Sequence, residues 1–316
     1  MYYKKIVLDK IENAFSPGDP VLELAANGKN VTFRDPQHDH AEAMREHWIE
    51  RDEQSYIDSI VDGTDKGKYH LLIGEKGTGK SSMLIDAMRK VEGDGCAMFE
   101  AHADPEIFRI RLGKALDFEY HEDNIGSLFS IRGPRDATAL LDIERAFNKL
   151  EKVALRRRKR SERPLILIIN AVHLLRDDEN GRDLLELIQQ RAEAWAASSL
   201  CTVVLNSDDY WVYERLKNLA TRMQVTPVRD LPKDKAMAAL RNYRSKYFDE
   251  RPSPQILEKI YDRIGGRLTF LNRVAKADDM LSICDHICDT EKIWFLNKVN
   301  EMHGRRILGN FTNRAI

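Results

Sequence analysis

Apolar residues in the middle of the chain fall in five short runs, each with the length of a β-strand. Longer segments with apolar positions at helical spacing separate them. The runs are Tyr69–Ile73, Cys96–Glu100, Leu165–Ile169, Thr202–Leu205 and Gln224–Val228. Runs that are apolar on both faces and alternate with helices are typical of a parallel sheet covered by helices. The pattern therefore predicts an α/β fold around a five-stranded parallel sheet.

The strand-like pattern stops after Leu231, and helical patterns follow one another from there. They cover Lys233–Phe248, Ser253–Ile264, Leu268–Leu281 and Asp289–Val299. We therefore predict an α/β domain over residues 44–231, a small all-helical domain over residues 232–300 and a tail over residues 301–316. Turn-forming residues such as Ser16–Pro20 predict that residues 1–43 form an extended lead-in outside the core.

Composition excludes several classes of protein without indicating an activity. The 316 residues include 50 basic and 51 acidic side chains, so the overall charge does not favour nucleic-acid binding. The four cysteines are too few and too scattered for a disulfide framework. No apolar run approaches the roughly 18 residues needed to cross a bilayer, and the first residues lack the pattern of a secretory signal. We expect a soluble intracellular protein of the cytoplasm, nucleus or mitochondrial matrix.

The strongest chemical signal is the segment Gly-Glu-Lys-Gly-Thr-Gly-Lys-Ser at residues 74–81. It fits the phosphate-binding P-loop pattern, with a predicted strand before it and a predicted helix after it. Its glycines let backbone N–H groups turn towards phosphate oxygens, and the new helix adds its N-terminal dipole. The predicted phosphate contacts are Gly74, Glu75, Lys76, Gly77, Thr78, Gly79, Lys80, Ser81 and Ser82. Lys80 would reach the β- and γ-phosphates of ATP or ADP, and Ser81 would bind Mg²⁺. We therefore expect a P-loop NTPase fold.

The expected acidic partner of this loop is missing from the sequence. A P-loop ATPase places carboxylates after a neighbouring strand to hold the Mg²⁺ shell and to orient water. Here Asn170 and Ala171 follow the third run. Asn170 can still hydrogen-bond a Mg²⁺-bound water, whereas Ala171 has no base. His173 is a possible catalytic substitute, although a lone histidine after a strand is more often structural. Other candidate groups are Asp177, Asp178, Glu179, Asp208 and Asp209. We expect slow or absent hydrolysis.

These features resemble the AAA+ and STAND-type ATPases over roughly residues 44–280, particularly the archaeal-ATPase branch that includes the origin-recognition ATPases. The segment Trp48–Ile57 is similar to the family segment that packs beside adenine. The resemblance implies that Trp48 and Ile49 contact the base, and their alternative role is ordinary packing of an amphipathic helix. It also implies that the helical residues 232–300 form a lid.

The same resemblance suggests roles for three more side chains. It implies that Asn206 lies near the γ-phosphate and that Arg222 is an arginine finger for a neighbouring subunit's nucleotide. Arg267, in a Gly-Gly-Arg turn, would lie over the phosphates, although the following Leu268 departs from the family's frequent proline. An arginine before a strand is usually just solvated. The implied function is a nucleotide-controlled switch that forms a homo-oligomer or binds a protein partner.

Two other functions remain open at this stage. The chain could be an active ATPase that works as an oligomer, with Arg222 supplied in trans. It could instead be an initiator-like nucleic-acid-binding protein that uses the basic run Arg156–Arg160. A solvated, flexible loop before a buried strand is the simpler explanation of that run, because no aromatic residues alternate with its charges.

Overall fold

The computed structural model describes residues 2–27, 49, 51–120 and 138–312. The described helices before and within the sheet region are α1 (Tyr2–Ala14), α2 (Pro20–Asn27), α3 (Gln54–Val61), α4 (Lys80–Lys90), α5 (Pro105–Ala115), α6 (Ala139–Arg158), α7 (Glu179–Ser198) and α8 (Trp211–Leu216). The strands are β1 (Tyr69–Ile73), β2 (Cys96–Glu100), β3 (Leu165–Asn170), β4 (Cys201–Ser207) and β5 (Met223–Pro227). Four further helices are α9 (Lys233–Tyr247), α10 (Pro254–Ile264), α11 (Leu268–Lys276) and α12 (Met280–Thr312).

The strands form one sheet in the order β2-β3-β4-β1-β5, and every neighbouring pair is parallel. The predicted five-stranded parallel sheet flanked by helices is therefore confirmed. Because all strands run the same way, their carboxyl ends meet at one edge. The chain order reverses around β1, and ligands of open α/β sheets bind in the crevice at such a switch point.

Complete burial of the central strands explains why their sequences are apolar on both faces. Every residue of β1 and β4 is buried, and β3 is buried over its first five residues. Helices α6 and α7 pack beside them through Phe147 and Trp195, whose ring centroids lie 5.5 Å apart in an edge-to-face arrangement. The indole N–H of Trp195 donates to Glu151 (3.0 Å), so this buried ring also satisfies its polar atom.

The prediction of an extended lead-in over residues 1–43 is wrong for its described part. Residues 2–14 and 20–27 are helices, and Val7, Ile11 and Phe15 are at most 1% exposed in the core that contains the sheet. The spacing of four residues places these side chains on one helical face. The turn residues after Phe15 only separate two helices, and Pro20 occupies the first position of α2, where its missing N–H costs nothing.

Helices α9 to α12 belong to a second compact unit, which includes Ile49 and a continuous segment from Arg229, three residues before the predicted domain start at residue 232. Its own core includes Leu240, Leu257, Val274 and Ile287. Buried Arg244 donates to the carbonyl oxygens of Ala275 (3.3 Å) and Ala277 (2.7 Å) at the end of α11.

The helix boundaries at the end of this unit differ from the predicted ones. The break falls after Lys276, and α12 then runs continuously through the predicted gap before Asp289 and through most of the predicted tail. Asp279 causes the restart, because its carboxylate accepts the N–H groups of Leu281 (2.9 Å) and Ser282 (3.1 Å) at the helix start. Within the described ranges, no helix is long and apolar enough to cross a membrane.

Candidate functional site

The loop between β1 and α4 has a backbone that only glycine adopts without strain. Gly77 and Gly79 have φ values of +84° and +98°, in the left-handed region. Gly74 is needed for a different reason, because a Cβ there would lie 2.1 Å from the carbonyl oxygen of Val228. The Val228 N–H donates to Ile73 O (2.7 Å), so the segment after β5 runs closely beside the start of the loop.

Thr78 connects this loop to Arg51, which lies before α3. Its side chain is 1% exposed, and its hydroxyl donates to the carbonyl oxygen of Glu75 (3.0 Å). Its own carbonyl accepts a hydrogen bond from the guanidinium of Arg51 (2.8 Å). Arg51 is also buried and forms an ion pair with Glu53 (3.3 Å). Sequence reasoning missed this role of Arg51, although the residue lies in the segment that resembles the family.

The ammonium of Lys80 lies inside the loop and is 97% buried. It donates to the carbonyl oxygens of Gly74 (2.7 Å) and Glu75 (2.9 Å), with the Thr78 hydroxyl at 3.4 Å. The carboxylate of Asp208, which follows β4, lies 2.7 Å from the same nitrogen. A buried ammonium is thus balanced by one carboxylate and by backbone dipoles.

Three polar side chains from α4, β3 and β4 meet beside the loop. The Ser81 hydroxyl donates to Asn170 Oδ1 (2.9 Å), and Asn206 Nδ2 donates to Ser81 Oγ (3.0 Å) and to Asn170 Oδ1. The sequence-predicted residues Ser81, Asn170 and Asn206 are therefore brought together, because the ends of β3 and β4 are neighbours in the sheet.

The oxygen atoms of this group fit a magnesium ion that keeps several of its waters. Ser81 Oγ and Asn170 Oδ1 are hard oxygen ligands of the type that Mg²⁺ takes, although both are uncharged. Asn206 Oδ1 is buried and has no hydrogen-bond partner among the residues that the structure describes. A bound water could supply the donor that this atom lacks.

His173 lies in the 3₁₀ turn Val172–Leu174 after β3, on the same side of the site as Asp208. Its Nδ1 accepts the backbone N–H of Asp208 (3.0 Å), and its Nε2 lies 3.6 Å from the Asp208 carboxylate. Burial lowers the pKa of His173, and the Asp208 charge opposes that shift while Lys80 adds to it. The neutral imidazole that results carries its proton on Nε2, because Nδ1 is an acceptor.

Arg222 lies at the opposite edge of the sheet from the P-loop. It directly precedes β5, and its carbonyl accepts the N–H of Tyr69 at the start of β1 (3.2 Å). A five-residue strand spans about 16 Å, so this arginine does not reach the loop of its own chain. Its guanidinium lies 4.0 Å from Glu193 beside an open groove of about 560 Å³.

The structure does not place the three remaining predicted nucleotide contacts, Trp48, Ile49 and Arg267, beside the P-loop. Trp48 lies outside the described residues. Ile49 is half-buried and packs against the core of the second unit, which is the ordinary packing role left open for it. Arg267, in the second unit, forms a bidentate pair with Asp230 at 2.7 and 3.2 Å. Its predicted place over the phosphates stays a prediction, as does base contact by Trp48 and Ile49.

The basic run is not the flexible loop that was expected. Arg156, Arg157 and Arg158 form the last turn of α6. Arg156 pairs with Asp9 and Glu12 of α1, and Arg160 pairs with Glu12 (2.9 Å). These carboxylates are more than 140 positions away in the chain, which is why the local sequence did not reveal them.

Two other arginines of this region share one carboxylate. Arg157 and Arg163 lie 2.9 and 3.0 Å from different oxygens of Asp94, which precedes β2. Arg157 also donates to the carbonyl of Phe15 (3.2 Å), and Arg163 donates to that of Val61 (2.9 Å). These arginines therefore connect the residue after α1 and the end of α3 with the end of α6 and the segment before β3. Nucleic-acid binding through residues 156–160 stays a prediction.

Comparison with known proteins gives one family match and a large set of similar folds. The family described as AAA ATPase domain matches residues 47–203. The chain is similar in fold to the Walker-type ATPase of Pyrococcus abyssi, with a TM-score of 0.57 and 16% identity over 83% of this chain and 77% of that one. No curated protein matches the chain by this search.

Two replication proteins also appear among the similar structures. The ORC1 protein of Aeropyrum pernix, solved in complex with DNA, gives a TM-score of 0.48 and 13% identity over 76% of this chain and 62% of that one. AMPPCP-bound DnaA of Aquifex aeolicus gives a TM-score of 0.43 and 12% identity over 72% of this chain and 62% of that one. At these identities the likeness concerns the fold alone.

Proposed function

We propose that the chain is a nucleotide-binding P-loop protein of the AAA+ superfamily and, within it, a STAND-type nucleotide switch, because residues 47–203 match the AAA ATPase domain family. It binds Mg-ATP and Mg-ADP, hydrolyses ATP slowly or not at all, and controls assembly or the binding of a protein partner. The observation that carries this proposal is the contact of Ser81 with Asn170, an uncharged residue where a carboxylate would be expected.

Nucleotide binding follows from the chemistry of the loop. The backbone N–H groups around Gly77 and Gly79, the dipole of α4 and the ammonium of Lys80 all favour phosphate oxygens. A bound Mg²⁺ would supply positive charge that offsets the charge of the phosphates. Ser81 and Asn170 would hold it, and Asn206 fixes the orientation of both side chains through its amide group.

Weak hydrolysis follows from the two residues at the end of β3, where neither side chain can accept a proton from water. Asn170 is uncharged, and Ala171 has an apolar side chain on a backbone with φ +54°. His173 is a poor base in the observed arrangement, because Nδ1 already accepts the Asp208 N–H and Nε2 carries the proton. Water activation by this site would therefore require a change of hydrogen bonding at His173.

A second candidate function is an active ATPase assembled from several copies. The position of Arg222 at the edge opposite its own P-loop favours this alternative, because such an arginine can act only on another subunit's nucleotide. The initiator-like alternative is not favoured by a comparable observation, because Arg156 and Arg160 are paired with carboxylates of α1.

The test is nucleotide binding by purified protein, measured by calorimetry with Mg-ATP and Mg-ADP, together with identification of any nucleotide that the protein retains. We expect Lys80→Ala to abolish binding. Lys90→Ala is the matched control, because Lys90 lies on the same helix and pairs with Asp58 and Asp86 at the surface. Binding that survives in Lys80→Ala would contradict the proposal.

Phosphate release distinguishes the switch from the second candidate. The switch predicts release close to the buffer background at every protein concentration. An oligomeric ATPase predicts turnover per subunit that rises with concentration and is lost in both Lys80→Ala and Arg222→Ala. Mixing these two variants would then restore part of the activity, since each would supply what the other lacks.

A further inference from the structure

The ammonium of Lys80 has no N–H left for a phosphate in the observed arrangement. An ammonium has three N–H donors. Three oxygens lie within 2.9 Å of Nζ, from the Gly74 carbonyl, the Glu75 carbonyl and the Asp208 carboxylate. A phosphate oxygen can therefore bind Lys80 with full strength only if one of these three acceptors leaves.

Asp208 is the acceptor that can leave most easily. The two carbonyls belong to the loop backbone, and the loop is held by the contact of Gly74 with Val228 and by the bond from Arg51 to Thr78. The Asp208 carboxylate is on a short side chain that is 26% exposed and can rotate. It also carries a negative charge, which repels an incoming phosphate in a site of low dielectric constant.

His173 provides a place for the displaced carboxylate. The backbone N–H of Asp208 already donates to His173 Nδ1 (3.0 Å), and this bond keeps the imidazole beside Asp208. The Asp208 carboxylate lies 3.6 Å from Nε2, the nitrogen that carries the imidazole proton. A small rotation away from Lys80 would bring the carboxylate into hydrogen-bonding distance of that N–H.

We propose that Asp208 is an affinity-determining residue of the nucleotide site, whose carboxylate competes with nucleotide phosphate for Lys80. This inference rests on the proposed function, and it adds a structural change by which bound nucleotide affects the neighbouring segments. Binding of phosphate to Lys80 transfers Asp208 towards His173, so occupancy of the loop changes the contacts of the turn Val172–Leu174 and of the segment before α8. The carboxylate that β3 lacks is thus present at the end of β4, where it opposes binding.

The test is the isosteric variant Asp208→Asn, compared with Glu214→Gln as a matched control. Glu214 is an exposed residue of α8 that pairs with Lys217. We expect Asp208→Asn to bind Mg-ADP and Mg-ATP about tenfold more tightly than the wild type, because a charged competitor of the phosphate is removed. Glu214→Gln should bind like the wild type. Calorimetry at constant salt measures the difference.

Hydrogen exchange provides the second readout. Nucleotide should change amide exchange around residues 172–174 and 207–211 in the wild type, and this change should be absent or much smaller in Asp208→Asn. A purely structural role of Asp208 would alter exchange equally with and without nucleotide, which would overturn the proposal.

The outcomes also separate this inference from the proposed function. If the wild type binds nucleotide and Asp208→Asn binds equally or more weakly, Asp208 is no competitor, while the switch proposal stands. If only Asp208→Asn binds, the competition is stronger than expected and the inference is supported. If neither folded protein binds, both proposals are wrong.

Discussion

The guanidinium of Arg51 holds the phosphate-binding loop from outside, through a 2.8 Å hydrogen bond to the carbonyl oxygen of Thr78. Arg51 is 6% exposed and Thr78 is 1% exposed, so this charge-assisted bond is shielded from water. It fixes the residue whose hydroxyl bonds back to Glu75 within the loop. A residue 27 positions before Thr78 therefore restrains the conformation of the loop.

Replacement of Arg51 should loosen the loop and weaken nucleotide binding. We expect Arg51→Gln to lower Mg-ADP affinity about tenfold, because a hydrogen bond from a charged group contributes about 1.5–3 kcal/mol. Arg89→Gln is the control, since Arg89 is a more exposed arginine of α4 that faces Asp86. Calorimetry and thermal unfolding of the three proteins measure the effect. Wild-type affinity in folded Arg51→Gln would refute this role.

Restoring carboxylates after β3 should create hydrolysis. Asn170→Asp places a charge beside Ser81, whose hydroxyl lies 2.9 Å from Asn170 Oδ1, and Ala171→Glu adds a base. We expect the double variant to release phosphate from ATP well above the wild-type rate. Ala171→Gly controls for the backbone, because Ala171 has φ +54° and glycine relieves about 1 kcal/mol of strain without adding a base. A double variant that binds ATP without turnover would contradict this explanation of weak hydrolysis.

Buried His70 should make the protein less stable in mild acid. Neither ring nitrogen has a hydrogen-bond partner among the described residues, and Asp65 and Lys68 are the charged groups that act on the ring. Burial lowers its pKa to about 4, against the attraction of Asp65. Between the folded value and the ordinary value near 6.5, the unfolded chain binds more protons. The free energy of unfolding should therefore rise with pH across that window.

The expected loss from this group is about 3 kcal/mol once the pH falls to 4. His70→Leu should flatten that part of the pH profile, because leucine fills the buried position in β1 without a titrating group. Urea denaturation between pH 4.5 and 7.5 compares the two proteins. Equal slopes for both would mean that other groups cause the acid sensitivity.

Helix α1 should be necessary for the stability of the α/β unit. Phe15, the residue directly after α1, is 0% exposed in the main core, so Phe15→Ala should lower the free energy of unfolding by about 3–5 kcal/mol. Ile6 lies within α1 but is 36% exposed, so Ile6→Ala should cost about 1 kcal/mol or less. Urea denaturation measures both. Similar small losses in the two variants would mean that α1 is dispensable.

The parts of the fold that could be predicted are those encoded by local patterns. The strands β1 and β2 agree with the predicted limits, because a buried parallel strand is a short apolar run with clear ends. The P-loop is equally local, since one contiguous motif supplies its glycines, Lys80 and Ser81. Helix α1 also has an apolar face, which includes Val7 and Ile11, but the turn-forming residues that follow the helix concealed it.

The contacts that could not be predicted join distant parts of the sequence through charge. Asp208 pairs with Lys80, and Arg51 bonds to Thr78, yet no periodicity relates these positions. The basic run looked solvated because its partners, Asp9 and Glu12, lie near the other end of the unit. Such pairings depend on the order of the strands, and that order is not a local property.

The position of α1 has a consequence for synthesis on the ribosome. Helix α1 packs against α6, and the carbonyl of Phe15 accepts a hydrogen bond from Arg157, 142 positions later in the chain. At about 5–20 residues per second, α1 emerges roughly 7–30 s before the helix that covers it. During that interval its apolar face is exposed to the cell, and chaperones have their best opportunity to bind the nascent protein.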